Sequence, residues 1–263
     1  MATYKEKSKE ARLKIIEMIH KAGTSHIASN FSIIDVATVL YSNLKEGDEV
    51  VWSAGWKAAT IYYFLAQQGK IPNEDLDKFG KEVDGKINYL GLAETNIEGV
   101  LCNGGAMGHG LPIACGIALA KKLKKEQGKV YCIMSDGEMN EGTTWESAMF
   151  AKHHKLDNLV VIVDKNNWQA MGKTDEVLNV SVHNAFSGFG WLPYTCHDGH
   201  DHQLIEKALS YEHVGQPKAL IFETIKGKGV SFFENHLLYH YKHVDKDEYE
   251  KAVKELNGNV ASV

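Results

Sequence analysis

The feature that most restricts the fold is an alternation of helix-length segments with short apolar runs from residue 110 to residue 225. Four of these runs, KVYCIM, NLVVIVD, WLPYTC and KALIFETI, have the length and composition of strands. Strands that are apolar along their whole length are typical of a parallel sheet that helices cover on both faces. We therefore predict an α/β fold with a doubly wound, mainly parallel sheet.

The remainder of the chain carries helical patterns and one more strand. The spacing of apolar residues predicts a helix that ends at Gly23, a second helix from Ser32 to Leu44 and a third that ends at Gly69. The strand EVVWS precedes the third helix. No linker, repeat or low-complexity block divides the 263 residues. The sequence predicts a single domain over residues 1–263.

Composition narrows the classes of function and location. A net charge of -5 gives no basic surface for a phosphate backbone, so a nucleic acid is not an expected partner. No apolar run reaches the ~18 residues of a membrane span, and the charged start MATYKEKSKEARLKII is unlike a signal peptide. The 4 cysteines lack CxxC spacing and have apolar neighbours, which favours reduced thiols. We expect a cytoplasmic protein that binds no membrane.

Polar side chains follow two neighbouring predicted strands. KVYCIM leads to Asp136 in the turn SDGEMNEG, and NLVVIVD leads to Asn166 and Asn167. Because right-handed crossovers bring successive loops to the carboxyl edge of a parallel sheet, we expect Asp136 and the two asparagines to lie close together. Either fragment alone is ordinary turn chemistry. Their occurrence as a pair, one crossover apart, favours a binding site.

The chemistry of this pair indicates a metal and a diphosphate. A carboxylate, an amide oxygen and a nearby backbone carbonyl form an all-oxygen ligand set, which suits Mg²⁺. Such a set fills only part of an octahedron, and substrate phosphates commonly complete it. Gly137 and Gly142 would let the backbone approach a diphosphate, and a helix that begins near Gly142 would direct N–H groups towards it.

The segment SDGEMNEGTTWESAMFAKHHKLDNLVVIVDKNNWQAMG resembles the thiamine diphosphate motif of transketolases, which begins Gly-Asp-Gly and closes on a strand-end asparagine. GGAMGHGLPIACGIALA, DGHD and IKGKGVSFFENHLLYH also resemble segments of that family, so the resemblance runs from about Ala11 to His240. It implies the thiamine diphosphate-binding fold, with thiamine diphosphate and Mg²⁺ as cofactors. The implied activity is transfer of a two-carbon ketol unit between sugar or sugar phosphate donors and aldehyde acceptors.

The resemblance also assigns roles by position. Glu141 and Glu146 match acidic residues that link cofactors across the family's subunit interface, and His26 matches a substrate-contacting histidine. GGAMGHG matches the segment beside the cofactor rings, and His240 matches a histidine that reaches both diphosphate and substrate. The implied site is metal binding by Asp136, Asn166 and the Trp168 carbonyl, cofactor binding by Gly105, Met107, Gly137, Glu138, Asn166 and His240, and catalysis by His26, His240 and Glu141.

A partner chain is expected from what the sequence lacks. Single-chain transketolases continue into a pyrimidine-binding domain and a third domain, whereas this sequence ends at Val263. It resembles the N-terminal, diphosphate-binding subunit of a split transketolase. The glutamate that activates the aminopyrimidine would then belong to a C-terminal, transketolase-like subunit. We expect a two-plus-two assembly and no turnover by this chain alone.

Several positions depart from the family pattern and leave alternatives open. Ser135 replaces the first glycine of the motif, and Trp56 and Leu92 stand where the family has histidines. The flank of His26, HIASN, is closer to deoxyxylulose phosphate synthases. A thiamine diphosphate enzyme with pyruvate as donor is therefore one alternative, and a non-catalytic subunit of the same fold is another. A nicotinamide dehydrogenase is disfavoured, because GGAMGHG has its glycines in the order G-x-x-G-x-G rather than G-x-G-x-x-G.

Overall fold

A computed structural model describes residues 2–83, 85–211 and 215–258 of the chain. Short 3-10 helices cover Asn73–Lys78, Asp136–Asn140 and Leu237–His240. The α-helices and strands, in chain order, are α1 (Tyr4–Ala22), α2 (Ile27–Ser32), α3 (Ile34–Ser42), β1 (Glu49–Trp52), α4 (Ala58–Gln67), α5 (Gly110–Lys124), β2 (Val130–Ser135), α6 (Gly142–His153), β3 (Leu159–Lys165), β4 (Trp168–Gln169), β5 (Gly172–Lys173), α7 (Thr174–Val177), α8 (Val182–Gly188), β6 (Leu192–Cys196), α9 (His202–Ser210), β7 (Lys218–Glu223) and α10 (Lys246–Leu256).

The chain divides into two compact units, each built from more than one stretch of sequence. The first unit consists of Met1–Tyr41, Gly55–Asn103 and Ile225–Val263, and the second of Ser42–Ala54 and Gly104–Thr224. Compact units of one chain can share a single domain. The domain over residues 1–263 that the sequence suggested therefore stays a prediction.

The second unit contains a five-stranded sheet in the order β1-β2-β3-β7-β6, with every neighbouring pair parallel. At its centre, Val161 on β3 is paired with Cys132 on β2 and with Ala219 on β7, and all three side chains are fully buried. Central strands that are covered on both faces are apolar along most of their length. The predicted α/β fold with a parallel sheet is therefore confirmed.

The first unit is helical, and a buried ion pair contacts the segment that follows β7. The helix α1 begins with a capping box between Thr3 and Glu6 and ends at Gly23, whose φ of 63° is left-handed. On α1, Arg12 binds Asp35 of α3 with N–O distances of 3.0 and 2.7 Å. The same guanidinium donates from Nε to the carbonyl of Lys228 at 2.9 Å. This contact fixes the segment that follows β7 against the helices.

The helix predicted from Ser32 to Leu44 corresponds to α3, with its bounds shifted by two residues at each end. The short helix α2, which starts after His26, precedes it and was not predicted. Both helices are buried on nearly all sides, so their sequence shows no polar face from which the bounds could be read. The pattern that predicted α9 extended to residue 213, and residues 212–214 lie outside the described part of the chain.

The sequence patterns also left out several elements of the structure, among them the short helix α7. The antiparallel pair β4 and β5 follows β3, and the helix α10 covers Lys246–Leu256. Strands of two residues are too short to give a periodic pattern. Among the helices that the structure describes, none combines the length and the apolar character needed to cross a membrane.

Candidate functional site

Asp136 lies directly after β2, at the carboxyl edge of the parallel sheet. The last residue of β2, Ser135, is paired with Asp164 of β3, so the two strand exits are neighbours. Asp136 is only 5% exposed, and its Oδ1 accepts a hydrogen bond from the N–H of Gly137 at 2.9 Å. Its Oδ2 accepts from the N–H of Asn167 at 2.6 Å. One carboxylate therefore joins the two loops, as the sequence predicted.

Asn166 is oriented by a buried carboxylate behind it. Its Nδ2 donates to Oδ2 of Asp164 at 3.1 Å, and Asp164 is fully buried and also accepts from the hydroxyl of Thr224. The side-chain oxygen of Asn166 accepts from the N–H of Trp168 at 3.1 Å. Because an amide nitrogen can only donate, the carboxylate determines which end of the amide faces inwards. The amide oxygen of Asn166 is therefore held on the side of Trp168, away from Asp164.

The oxygens at this edge fit a magnesium ion that a phosphate-bearing ligand helps to bind. The set that the resemblance implies comprises the Asp136 carboxylate, the Asn166 amide oxygen and the Trp168 carbonyl. Within the described residues, no three His, Cys, Asp or Glu side chains cluster as they would around a metal. Mg²⁺ is commonly held by one or two carboxylates together with substrate phosphates and water, so a site with a single carboxylate suits it.

Gly137 is a glycine that the protein's own packing does not require. A Cβ placed on it would meet nothing nearer than Cβ of Gln169 at 3.5 Å, which is an ordinary contact. Its backbone is not in the left-handed region either. The absence of a side chain here is therefore compatible with a ligand that approaches the backbone closely.

Glu138 connects the loop after β2 to the glycine-rich segment before α5. Its carboxylate is fully buried and accepts from the N–H of Gly108 at 3.0 Å and from the N–H of Ser135 at 2.8 Å. The hydroxyl of Ser53, which follows β1, also donates to it. Both side-chain oxygens are thus committed to protein donors. The cofactor contact implied for Glu138 stays a prediction.

The glycine-rich segment is packed closely at two of its glycines. Gly108 has a φ of +74°, and a Cβ on it would lie 2.6 Å from Oγ1 of Thr143. A Cβ on Gly110 would lie 2.4 Å from Cα of Ser53. Both positions exclude any larger residue. The implied ring contacts, Gly105 and Met107, lie on the exposed part of this segment.

The two acidic residues implied at the interface lie at the start of α6. Glu141 is the N-terminal cap residue of α6 and is half-buried, and Glu146 is exposed one turn into the helix. The helix begins at Gly142, as the sequence predicted. The roles implied for both glutamates stay predictions.

His26 and His240 lie together in the first unit. Their ring centroids are 4.9 Å apart, and the N–H of His26 donates to the carbonyl of His240 at 3.2 Å. His26 has a φ of 71°, and the side chain of Asn30 donates to its carbonyl at 2.9 Å. A non-glycine residue that is held in the left-handed region is strained, and such strain is common at functional sites.

Two buried lysines accompany the histidine pair. Nζ of Lys226 lies 2.9 Å from Nδ1 of His240. Nζ of Lys57 donates to the carbonyl of Ser29 at 2.6 Å. Burial, and then the charges of these lysines, lower the pKa of His240 to about 3 and the pKa of His26 to about 4. Both imidazoles are therefore neutral at physiological pH.

Sequence reasoning missed both lysines, and no signal in the sequence would have found them. Lysine is rarely buried in proteins, so neither position stood out. The two departures from the family's histidines are also in the first unit. Trp56 is half-buried, and Leu92 is 42% exposed. Leu92 offers no hydrogen-bonding group, and Trp56 offers one N–H donor but no acceptor, whereas a neutral imidazole has both.

The fold and the paired strand exits define an α/β protein with an oxygen-lined ligand edge. Residues 4–261 match the family described as transketolase, thiamine diphosphate binding domain. The chain belongs to the transketolase family and corresponds to its thiamine diphosphate-binding part.

Individual relatives agree with this assignment. The chain is 33% identical to an apulose-4-phosphate transketolase subunit of Phocaeicola vulgatus, with 98% of this chain and 95% of that protein covered. It is 32% identical to a 6-deoxy-6-sulfo-D-fructose transketolase subunit of a Clostridium species, covering 92% and 91%. The crystal structure of Campylobacter jejuni transketolase matches with a TM-score of 0.91 and 27% identity over 98% of this chain. This chain spans only 43% of that transketolase.

Proposed function

We propose that this chain is the diphosphate-binding subunit of a transferase that moves a two-carbon ketol unit from a sugar or sugar phosphate donor to an aldehyde acceptor. The observation that carries the proposal is the pair of loops joined by Asp136. When bound, thiamine diphosphate would supply the nucleophilic carbon and store the electrons of the broken bond. The contribution of this chain is to hold the cofactor, to transfer protons and to form hydrogen bonds with the substrate.

In this proposal the second unit holds the metal and the diphosphate. Asp136, Asn166 and the Trp168 carbonyl are the magnesium ligands, supported by the buried Asp164 behind Asn166. Outer partners of this kind typically change metal affinity about 10- to 100-fold. The backbone at Gly137 lies against the diphosphate, and Gly105 and Met107 lie beside the rings of the cofactor.

In this proposal the histidines of the first unit contact the substrate. His26 and His240 are neutral at physiological pH, so each carries one N–H donor and one acceptor nitrogen. A positioned histidine whose acceptor nitrogen faces the substrate typically contributes about 10²- to 10⁴-fold to a rate by proton transfer. Glu141 is assigned to the interface with the partner.

Calorimetric titration of the purified chain tests the cofactor assignment. We expect thiamine diphosphate to bind in the presence of Mg²⁺ and to lose most of its affinity when EDTA replaces the metal. NAD with Mg²⁺ should give no binding heat. Binding of NAD, or absence of thiamine diphosphate binding both to the chain and to its complex with the partner, would contradict the proposal.

We also propose a two-plus-two assembly with a C-terminal, transketolase-like partner. Two similar proteins are named as subunits of apulose-4-phosphate transketolases, which supports a partner for this chain. Ile113 on α5 and Met149 and Phe150 on α6 are large apolar side chains with exposures of 38%, 53% and 40%. In this proposal the partner covers these exposed apolar side chains. The buried free cysteines support the assignment to the cytoplasm.

Turnover separates the assembly hypothesis from its competitors. The chain, shown by mass spectrometry to be free of other proteins, should form no product, and co-expression with the partner should give carbon–carbon bond transfer. Steady multiple turnover by the isolated chain would remove the need for a partner. No turnover by the full assembly with any donor would instead favour a non-catalytic subunit.

The donor has one competing assignment. Leu92 exposes an apolar side chain where the resemblance implies a histidine that contacts the donor. A polar site that loses one partner discriminates less strongly between substrates, so a pyruvate donor is the second candidate. Parallel assays of the assembly with pyruvate and with a ketose phosphate distinguish the two.

A further inference from the structure

Lys226 reaches the ring of His240 with its ammonium group. Nζ of Lys226 lies 2.9 Å from Nδ1 of His240, within hydrogen-bond distance. An ammonium group has three N–H donors and no acceptor. Nδ1 must therefore be the acceptor in this contact, and the single proton of a neutral ring then resides on Nε2.

We infer that Lys226 is a positioning residue that fixes His240 as the Nε2–H tautomer, so that this ring presents a hydrogen-bond donor to its ligand. In this form Nε2 cannot accept a proton from a substrate hydroxyl. His240 would stabilise negative charge on an oxygen by donation. A base at this site would have to be another group. This assignment rests on the proposed function only for the identity of that oxygen, on the substrate or on a phosphate.

The backbone that carries Lys226 is held on both sides. The N–H of Gly227 donates to the carbonyl of Ala28 at 2.9 Å, and the N–H of Asn235 donates to the carbonyl of Lys226 at 2.9 Å. Gly227 has a φ of +82°, and a Cβ on it would lie 2.4 Å from the carbonyl oxygen of Phe233. Lys226 itself is 1% exposed. Because its backbone is held and its side chain is buried, Lys226 keeps its ammonium group beside the ring of His240.

The groups that face His240 from the neighbouring elements oppose a second proton on the ring. They are Lys226 from the segment after β7, His26 from the start of α2 and Lys57 from the start of α4. After burial, each of these three groups lowers the pKa of His240. Lys226 thus acts in two ways. Its ammonium group donates to Nδ1 and so selects the tautomer, and its positive charge keeps the ring neutral.

Nitrogen NMR of the chain labelled with ¹⁵N in its histidines tests the inference without a cofactor. His240→Asn identifies the signals by their disappearance. At pH 6 the spectrum should show a protonated Nε2 and an unprotonated Nδ1 in His240. An imidazolium signal or an Nδ1–H tautomer at this pH would overturn the inference, whatever the variants do.

Two lysine variants separate the contact from a general loss of charge. In Lys226→Met, His240 should show a mixture of tautomers and a pKa that rises from about 3 towards the ordinary 6.5. Lys228→Met removes a more exposed lysine from the same segment, which pairs with Glu234 at 3.6 Å, and should leave the His240 spectrum unchanged. An unchanged tautomer in Lys226→Met would overturn the inference.

The pH profile of the full assembly gives the functional readout. With Lys226→Met, the acidic limb of kcat should move to a higher pH than in the wild type, while burial keeps it below the ordinary histidine value, and Lys228→Met should keep the wild-type profile. A uniform loss of kcat without this shift would indicate a merely structural role for Lys226. The NMR result does not depend on thiamine diphosphate, and calorimetry tests that assignment separately, so the two can fail independently.

Discussion

Asp136 is the residue whose charge should decide metal binding. Asp136→Asn keeps the size of the side chain and removes the carboxylate that joins the two loops. We expect magnesium-dependent affinity for thiamine diphosphate to fall by more than about 100-fold, since loss of outer-shell partners alone costs about 10- to 100-fold. Calorimetry with Mg²⁺ measures the change. Glu126→Gln, which removes an exposed carboxylate from the same unit, is the control, and equal affinities in the two variants would refute the role.

Glu138 should matter for stability, because both of its oxygens accept hydrogen bonds inside the protein. In Glu138→Gln, the new NH₂ group would face the N–H of Gly108 or the N–H of Ser135, and a donor would then face a donor. We expect the free energy of unfolding to fall by about 1–3 kcal/mol, the usual cost of an unsatisfied buried polar group. Urea unfolding, again with Glu126→Gln as the control, measures it. A change as small as that of the control would show that the network contributes little.

The helix α5 offers a matched pair of glycines for a test at the scale of an element. Gly110→Ala places a Cβ 2.4 Å from Cα of Ser53, so the start of the helix must move away from the strand exit. A Cβ on Gly116, in the same helix, would meet no atom within 4 Å. We expect Gly110→Ala to destabilise the fold, and Gly116→Ala to stabilise it by about 0.5–1 kcal/mol, the difference in helix propensity.

Thermal unfolding of both variants measures this contrast. The two substitutions have the same chemistry and the same helix, so any difference in melting temperature reports the packing at Ser53. Equal melting temperatures would mean that the segment before α5 can move without cost. The cofactor contacts implied for Gly105 and Met107 could then not depend on a rigid segment.

Acid sensitivity is a property of the whole molecule that the buried histidines should dominate near neutral pH. The folded state holds the pKa values of His26 and His240 at about 4 and 3, against 6.5 in the unfolded chain. Below pH 6.5 the unfolded chain therefore binds protons that the folded chain does not, and stability falls as pH falls towards 4. Between pH 5 and 7.5, urea unfolding should show a steady loss of stability on acidification.

Substitution separates the histidines from other titrating groups. The double variant His26→Asn, His240→Asn should have a flatter pH dependence in this window, whereas His183→Asn, which removes an exposed histidine, should follow the wild type. Carboxylates with lowered pKa values, such as Asp75 and Asp77, contribute stability that is lost only at lower pH. A double variant with the wild-type slope would exclude the histidines as the cause.

The sequence alone determined the architecture of the second unit and the position of its ligand edge. Every strand of the five-stranded sheet was predicted from a mostly apolar run, and the pattern is clearest in the central strands β3 and β7, which are buried along most of their length. Asp136 and Asn167 were predicted to meet because both follow such strands. These features depend on neighbouring residues, and local patterns record them.

The tertiary structure alone decided which distant residues share a site. Ser53 and Glu138 meet across 85 positions, and Lys226 meets His240 across 14 with an irregular segment between them. The short helix α2, with His26 in the left-handed region at its start, was also invisible in the sequence. Burial turns lysines and a glutamate, which local patterns assign to the surface, into fixed partners. Packing brings these groups together and excludes water from them, and no local pattern records either effect.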